Sequence, residues 1–370
     1  SQQLVDRGTS TLKNLTTTQI AAIETTDVSV LSTVQLLALS STQLRALNTA
    51  QVVELTSDQL AGLSSAAVAA LTTQQLSVLS AAKRNYLDVS SLLALTSSQV
   101  ISLTTTQIAD LSTSAIAALN TNTIGSLTTA QIAALTTNQA ANLTTTTVKA
   151  LTTRQIAVLE NEDLAVLTSE NVAALTSVQL QALTTSQIAG LSSQQVFDLN
   201  STTLQALTTR QVAALETRDV AAMSTVSLSN LLSTQLQALT TAQIAGLSSQ
   251  QLVDLSTTTL KNLASSQIAA IETTDISALT TVQLRALSSV QQQALTTAQV
   301  SNLTNEQLLG LSSTALGSLT TQQLSALNAT KLNNLDTASV TGLIGSQLAS
   351  LTTTQTAGLS TDIVASLNTN

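Results

Sequence analysis

Leucine stands at every eighth position from Leu15 to Leu367, replaced only by Ile23, Met223 and Ile271, and no insertion breaks the register. A spacing kept that strictly makes each octapeptide one structural unit, and a chain of like units is an array whose members lean on their neighbours. Counted from the residue after the leucine, the octad reads Thr, Thr, variable, Gln, Ile/Leu/Val, variable, Ala, Leu, as in residues 128–135 and 240–247.

The first and fourth positions form S/T-x-x-Q, a capping box. The hydroxyl accepts the backbone N–H at N3, and the glutamine side chain returns to the N–H of the cap residue. The leucine before the cap and the aliphatic residue at position five occupy the two sites of a hydrophobic staple. Each octad therefore starts a new helix of five or six residues. Helices that short do not persist alone in water, and caps worth about 1 kcal/mol each do not hold them. Stacking must supply the rest, through positions five and eight, each worth about 1.5–3 kcal/mol when buried. The small residue at position seven (Ala134, Gly190, Gly246) lets neighbouring backbones approach. Positions three and six accept Arg45, Asp58, Arg154, Lys261 and Gln293 and so face water.

Two other backbones compete. In one long helix, eight residues advance the apolar stripe by about 80° per octad, so the stripe wraps around the rod and faces no single partner. A β-solenoid is favoured by the Thr, Ile and Val content, but positions five and eight would then point to opposite faces. Only ten glycines are present, too few for a tight turn per rung.

Units of seven octads also repeat. Gln250–Leu263 echoes Gln194–Leu207, and the acidic pairs Glu160/Asp163, Glu216/Asp219 and Glu272/Asp275 follow the same step, with Glu24/Asp27 a whole number of octads earlier. Blocks 16–71, 72–127, 152–207, 208–263 and 264–319 fit this ruler if 128–151 is an insertion. Tandem duplication of the gene explains the echo. A structural account is that seven octads return the same face of the solenoid to the same azimuth.

Several residues break the pattern. Octad 80–87 puts Arg84 at the apolar fifth position with Lys83 and Tyr86 beside it. Arg84 either snorkels outward from a bulge or belongs to a contact between subunits or to a ligand. Arg7, Lys83, Arg84 and Tyr86 are the candidate assembly contacts. Gln292 and Thr356 are milder polar intrusions at position five, read as weak turns. Each E-x-x-D octad places two carboxylates in the first turn of a helix, where the dipole favours anions. One such pair offers too few oxygens for the six to eight that calcium prefers. Sequons at Asn14, Asn142, Asn200, Asn302 and Asn328 arise largely from the repeat itself, and the Ser/Thr hydroxyls are candidate glycan acceptors.

Composition bounds the function. The chain has no His, Cys, Pro or Trp, its only aromatics are Tyr86 and Phe197, and no glycine-rich phosphate loop or catalytic constellation can be assembled from it. An enzyme with a cofactor or metal is not expected. A net charge of −8 with scattered Lys and Arg argues against nucleic acid, and no apolar run is long enough to insert in a membrane.

The stretch LTTAQIAAL (residues 127–135), one octad with the leucine before it, resembles the long tandem repeats of bacterial secreted or surface proteins, and the likeness covers residues 9–367. The resemblance implies an extended shape and an extracellular or cell-surface setting, and carries no catalytic residues. The LTxxQ signature of periplasmic stress chaperones shares only the helix cap.

The expectation is an all-α solenoid of very short capped helices, one per octad, two to four octads per coil. It reads as one continuous array over 1–370, with an irregular segment 1–14, regular repeats 15–367 and a tail 368–370. At ordinary helix-packing distances this gives an elongated rod on the order of 100–200 Å. Such a solenoid exposes positions five and eight at its ends, and open ends stack head to tail on further copies of the chain. Three uses stay open: a subunit of a self-assembling extracellular filament, the spacer or stalk of a surface adhesin, and an ice- or crystal-binding surface built on a threonine ladder.

Overall fold

The computed structural model describes residues 8–80, 83, 87 and 89–367. They gather into two compact units, Ser1–Gly190 and Leu191–Asn370. Among the described residues the secondary structure is 44 α-helices of four to seven residues, with no strand, and each fully described octad holds one helix. The segment expected to be irregular contains a helix as well, Thr9–Lys13.

Octad 128–135 shows how the local signals act. Gln131 N–H donates to the Thr128 hydroxyl at 3.2 Å, and Thr128 N–H donates to Gln131 Oε1 at 2.8 Å, closing the box in front of helix Thr129–Ala133. The helix ends when Leu135 N–H returns to the Ile132 carbonyl at 3.1 Å, a tightened last turn. Between helices the backbone needs only two extended residues: Leu127 (φ −57°, ψ 140°) and Thr128 (φ −70°, ψ 159°) join Thr121–Ser126 to Thr129–Ala133. No described residue has positive φ, so the corners require no glycine, and ten glycines suffice for the whole chain.

The glutamine half of the box works without the hydroxyl. At Leu232, Ala264 and Ile344, which have no side-chain acceptor, Gln235, Gln267 and Gln347 still take the cap N–H at 2.9, 2.7 and 2.7 Å. Restoring the missing acceptor by Ala264→Thr is expected to stabilise the chain by about 1 kcal/mol. An unchanged midpoint in denaturant unfolding would show that the hydroxyl adds nothing where glutamine already caps.

Within each unit the helices stack as a solenoid. In the first, Thr17–Ala21 packs on Ser41–Ala46, which packs on Ser65–Ala70. In the second, Ser265–Ala270 packs on Ser289–Ala294, and that helix on Ser313–Ser318. These are steps of three octads, while side-chain bonds described below reach four octads back. One coil therefore takes between three and four octads, and the 56-residue ruler spans about two coils. Positions five and eight form the core, as with Ile132 and Leu135 in the first unit and Ile244 and Leu247 in the second.

Position seven is where helices come closest. A Cβ on Gly62 would stand 2.0 Å from Thr33 Cγ2, and one on Gly246 would stand 2.3 Å from Thr217 Cγ2, both threonines at position two of the octad three earlier. Gln292 and Thr356 do not interrupt their helices: Ser289–Ala294 and Thr353–Ala357 both form, and each intruder has a hydrogen-bond partner. Buried Gln292 accepts from Ser318 Oγ at 2.5 Å, and exposed Thr356 donates its hydroxyl to the Thr352 carbonyl at 3.0 Å.

Candidate functional site

The feature that repeats with most consistency beyond the caps is a second role for the glutamine at position four. Its Oε1 serves its own helix while its Nε2 donates to carbonyls of the neighbouring coil. Gln75 takes the Thr72 N–H at 2.7 Å and donates to the carbonyls of Leu44 (2.8 Å) and Leu47 (2.7 Å). Gln107 does the same to Leu76 (3.2 Å) and Leu79 (3.0 Å), and Gln139 to Ile108 (2.9 Å) and Leu111 (2.7 Å). In the second unit Gln235 reaches Leu204 and Leu207, Gln267 reaches Leu236 and Leu239, and Gln299 reaches Ile268 and Ile271, all at 2.7–3.1 Å. Each unit thus contains a buried glutamine spine in which the start of one helix satisfies the orphan carbonyls at the end of another.

The sequence reading identified the cap and missed the spine. A signal was available. Glutamate caps as well as glutamine does, yet no octad carries Glu at position four. A glutamate has the reach of glutamine and would bring a carboxylate to the carbonyl oxygens with no proton to offer; the four carboxylates that do fill the slot are the shorter aspartates.

Of the candidate assembly contacts, Arg7, Arg84 and Tyr86 lie outside the described residues. Lys83 occupies position four of its octad, and its ammonium donates to the Val53 carbonyl, as a spine glutamine would. Lys331 repeats this in the second unit, donating to the carbonyls of Ser301 and, at 2.6 Å, Leu303. Asn171 is the shortest member of the series. Its Nδ2 reaches the Leu143 carbonyl at 2.7 Å in a buried setting.

The acidic octads place aspartate in the same slot. Their N-cap glutamates, Glu24, Glu160, Glu216 and Glu272, make no side-chain cap bond, while Asp27, Asp163 and Asp219 are buried and Asp275 is half-buried. Asp219 Oδ1 accepts from Ser193 Oγ at 2.7 Å and lies 3.5 Å from Arg218 Nε; Asp275 accepts from Ser249. Asp163 is 2% exposed, and its Oδ2, like that of Asp219, has no hydrogen-bond partner. Burial pushes the Asp163 carboxyl above its ordinary value. A hydrogen bond from the Thr137 side chain opposes the rise, and the charges of Glu160 and Glu162 add to it. Among the described residues no three acidic side chains converge on a common point.

The outer surface mixes polar side chains with exposed apolar ones such as Val34, Val178 and Phe197. Arg45, Asp58, Arg154, Lys261 and Gln293 are exposed, as their positions three and six require. Side chains at position six also clip one coil to the next: Arg45 Nε donates to the Ala70 carbonyl at 2.9 Å, and Gln205 Nε2 to the Asn230 carbonyl at 2.9 Å. Two of the sequon asparagines, Asn200 and Asn328, act as N-caps. An open groove of about 860 Å³ in the second unit runs past Asn302, Asn305 and Glu306 to Lys331, whose ammonium is already held by carbonyls. No described helix is long and apolar enough to cross a membrane.

No curated protein matches the chain. The model of the ALTTAQ repeat matches residues 20–57, 111–145, 156–193, 212–249 and 268–305, together half of the sequence. The last three matches begin 56 residues apart, the same ruler as the acidic octads, and the chain belongs to the ALTTAQ repeat family.

Proposed function

We propose that this chain is a structural, non-enzymatic protein whose coils self-assemble head to tail into an extracellular or cell-surface filament. The observation that carries the reading is the glutamine spine. Every coil offers amide donors on one edge and carbonyl acceptors on the other, so the edge of any stack is complementary to the opposite edge of an identical stack. An interface of that kind is heterologous and does not close, which is the geometry of a fibre rather than a ring. Apolar side chains at positions five and eight supply the attraction, and the spine sets the register. The threonine-ladder reading gains no support from the bonds between coils, which join position four to positions five and eight.

Negative-stain microscopy of the purified protein, over a range of concentrations, is the test. Fibres of uniform width that lengthen with concentration are expected. Discrete particles of constant size at every concentration would overturn the filament and favour the spacer. Exposed Ser and Thr hydroxyls at positions one to three are the proposed glycan acceptors on such a fibre.

A further inference from the structure

Asp163 follows two spine glutamines in the series that steps four octads at a time. Gln99 donates to the Leu71 carbonyl at 2.7 Å and Gln131 to the Leu103 carbonyl at 2.7 Å. The next member of that series should donate to the carbonyl of Leu135, and it is an aspartate. Among the described residues no side chain donates to that carbonyl. Asn171, one octad later, is the internal control. It has the same shape as aspartic acid, occupies the same octad position, and places Nδ2 2.7 Å from the carbonyl 28 residues before it. A side chain of this length therefore reaches the acceptor when it carries a proton to give. In Asp163 the atom left without a partner is the second carboxylate oxygen, Oδ2, which is shut off from solvent.

We propose that Asp163 is a proton-binding site within the stack: protonated at Oδ2, it donates to the Leu135 carbonyl of the neighbouring coil as Asn171 does to Leu143, and loss of the proton opens that contact. Deprotonation would leave a carboxylate and a carbonyl oxygen facing each other in a dry setting, which costs free energy rather than supplying it. The surroundings favour the neutral form. The charged groups beside Asp163 are Glu160 and Glu162 of its own octad, both negative. The flanking helices Thr137–Ala141 and Thr185–Ala189, and Thr129–Ala133 of the neighbouring coil, carry no charged side chain. Asp219 is a different case, since Arg218 lies alongside it.

The sign of the effect follows from a carboxyl whose value is raised on folding. The stabilising contact is complete below the unfolded-state value of about 3.9 and is lost as pH rises through the folded-state value. The test compares the full-length protein with Asp163→Asn, which donates at every pH. Thermal midpoints of the two should lie closest at or below about pH 4 and separate as pH rises, the natural chain falling below the variant by a few degrees before the gap levels off. A gap that does not change with pH, or a variant less stable than the natural chain throughout, would refute the proposal. Carboxyl ¹³C titration of Asp-labelled natural protein gives a second reading that does not depend on the variant folding. One aspartate should titrate above all the others, and a set titrating together in the ordinary range would equally refute it.

Discussion

Alanine in place of Gln75 is expected to destabilise the protein by about 3–5 kcal/mol, while alanine in place of its neighbour Gln74 changes stability by no more than about 0.5 kcal/mol. The two residues are identical in chemistry and adjacent in sequence. Gln75 is 2% exposed, takes the Thr72 N–H and donates to two carbonyls of the neighbouring coil, whereas Gln74 at position three points to solvent. Truncating Gln75 leaves three backbone groups without that partner, each at about 1–3 kcal/mol if no water enters. The loss therefore exceeds that of an N-cap hydroxyl, about 1 kcal/mol. Guanidinium unfolding of the two variants decides the matter. Equal midpoints would mean that the glutamine spine is incidental to stability and would remove the basis for the filament proposal.

A pair of glycines should respond in opposite directions to the same substitution. Gly342→Ala is expected to destabilise by about 1–3 kcal/mol or more, because the new methyl would stand 2.1 Å from the Ser313 carbonyl oxygen, a backbone atom with no rotamer to move away. Gly345→Ala should stabilise by about 0.5–1 kcal/mol. Its Cβ would meet nothing within 4 Å, and it is the first residue of helix Gly345–Ala349, where glycine carries only an entropic cost. Thermal unfolding of both, compared with the natural chain, reads the signs directly. A neutral Gly342→Ala would mean that the close approach at position seven is not a constraint on the stack.

Much of this architecture is legible in the octad because its determinants are local. The capping box joins residues three apart, and the staple joins positions on either side of one cap, so a single octad contains both partners. The buried pair at positions five and eight follows from helical spacing alone. Lys83 shows where such reading stops. In the sequence it marks an irregular octad and a candidate outward contact; in the structure its ammonium donates to the Val53 carbonyl, 30 residues away. The acidic octads behave alike. Two carboxylates in a first turn suggest a dipole effect, yet the aspartates are buried or half-buried because position four faces the neighbouring coil, whatever residue fills it.

The sequence by itself determined that every octad is one capped helix, that these helices are too short to stand alone, and which side chains must be buried. Tertiary structure alone decided how many octads complete a coil, and with it the partner of every glutamine amide. The physical reason is one of range. Caps and staples are closed within a few residues, but the angle at which one short helix rests on the next is set by packing at positions two and seven across three octads. Only that angle brings the Nε2 of Gln75 to the carbonyls of Leu44 and Leu47, a contact that no single octad encodes.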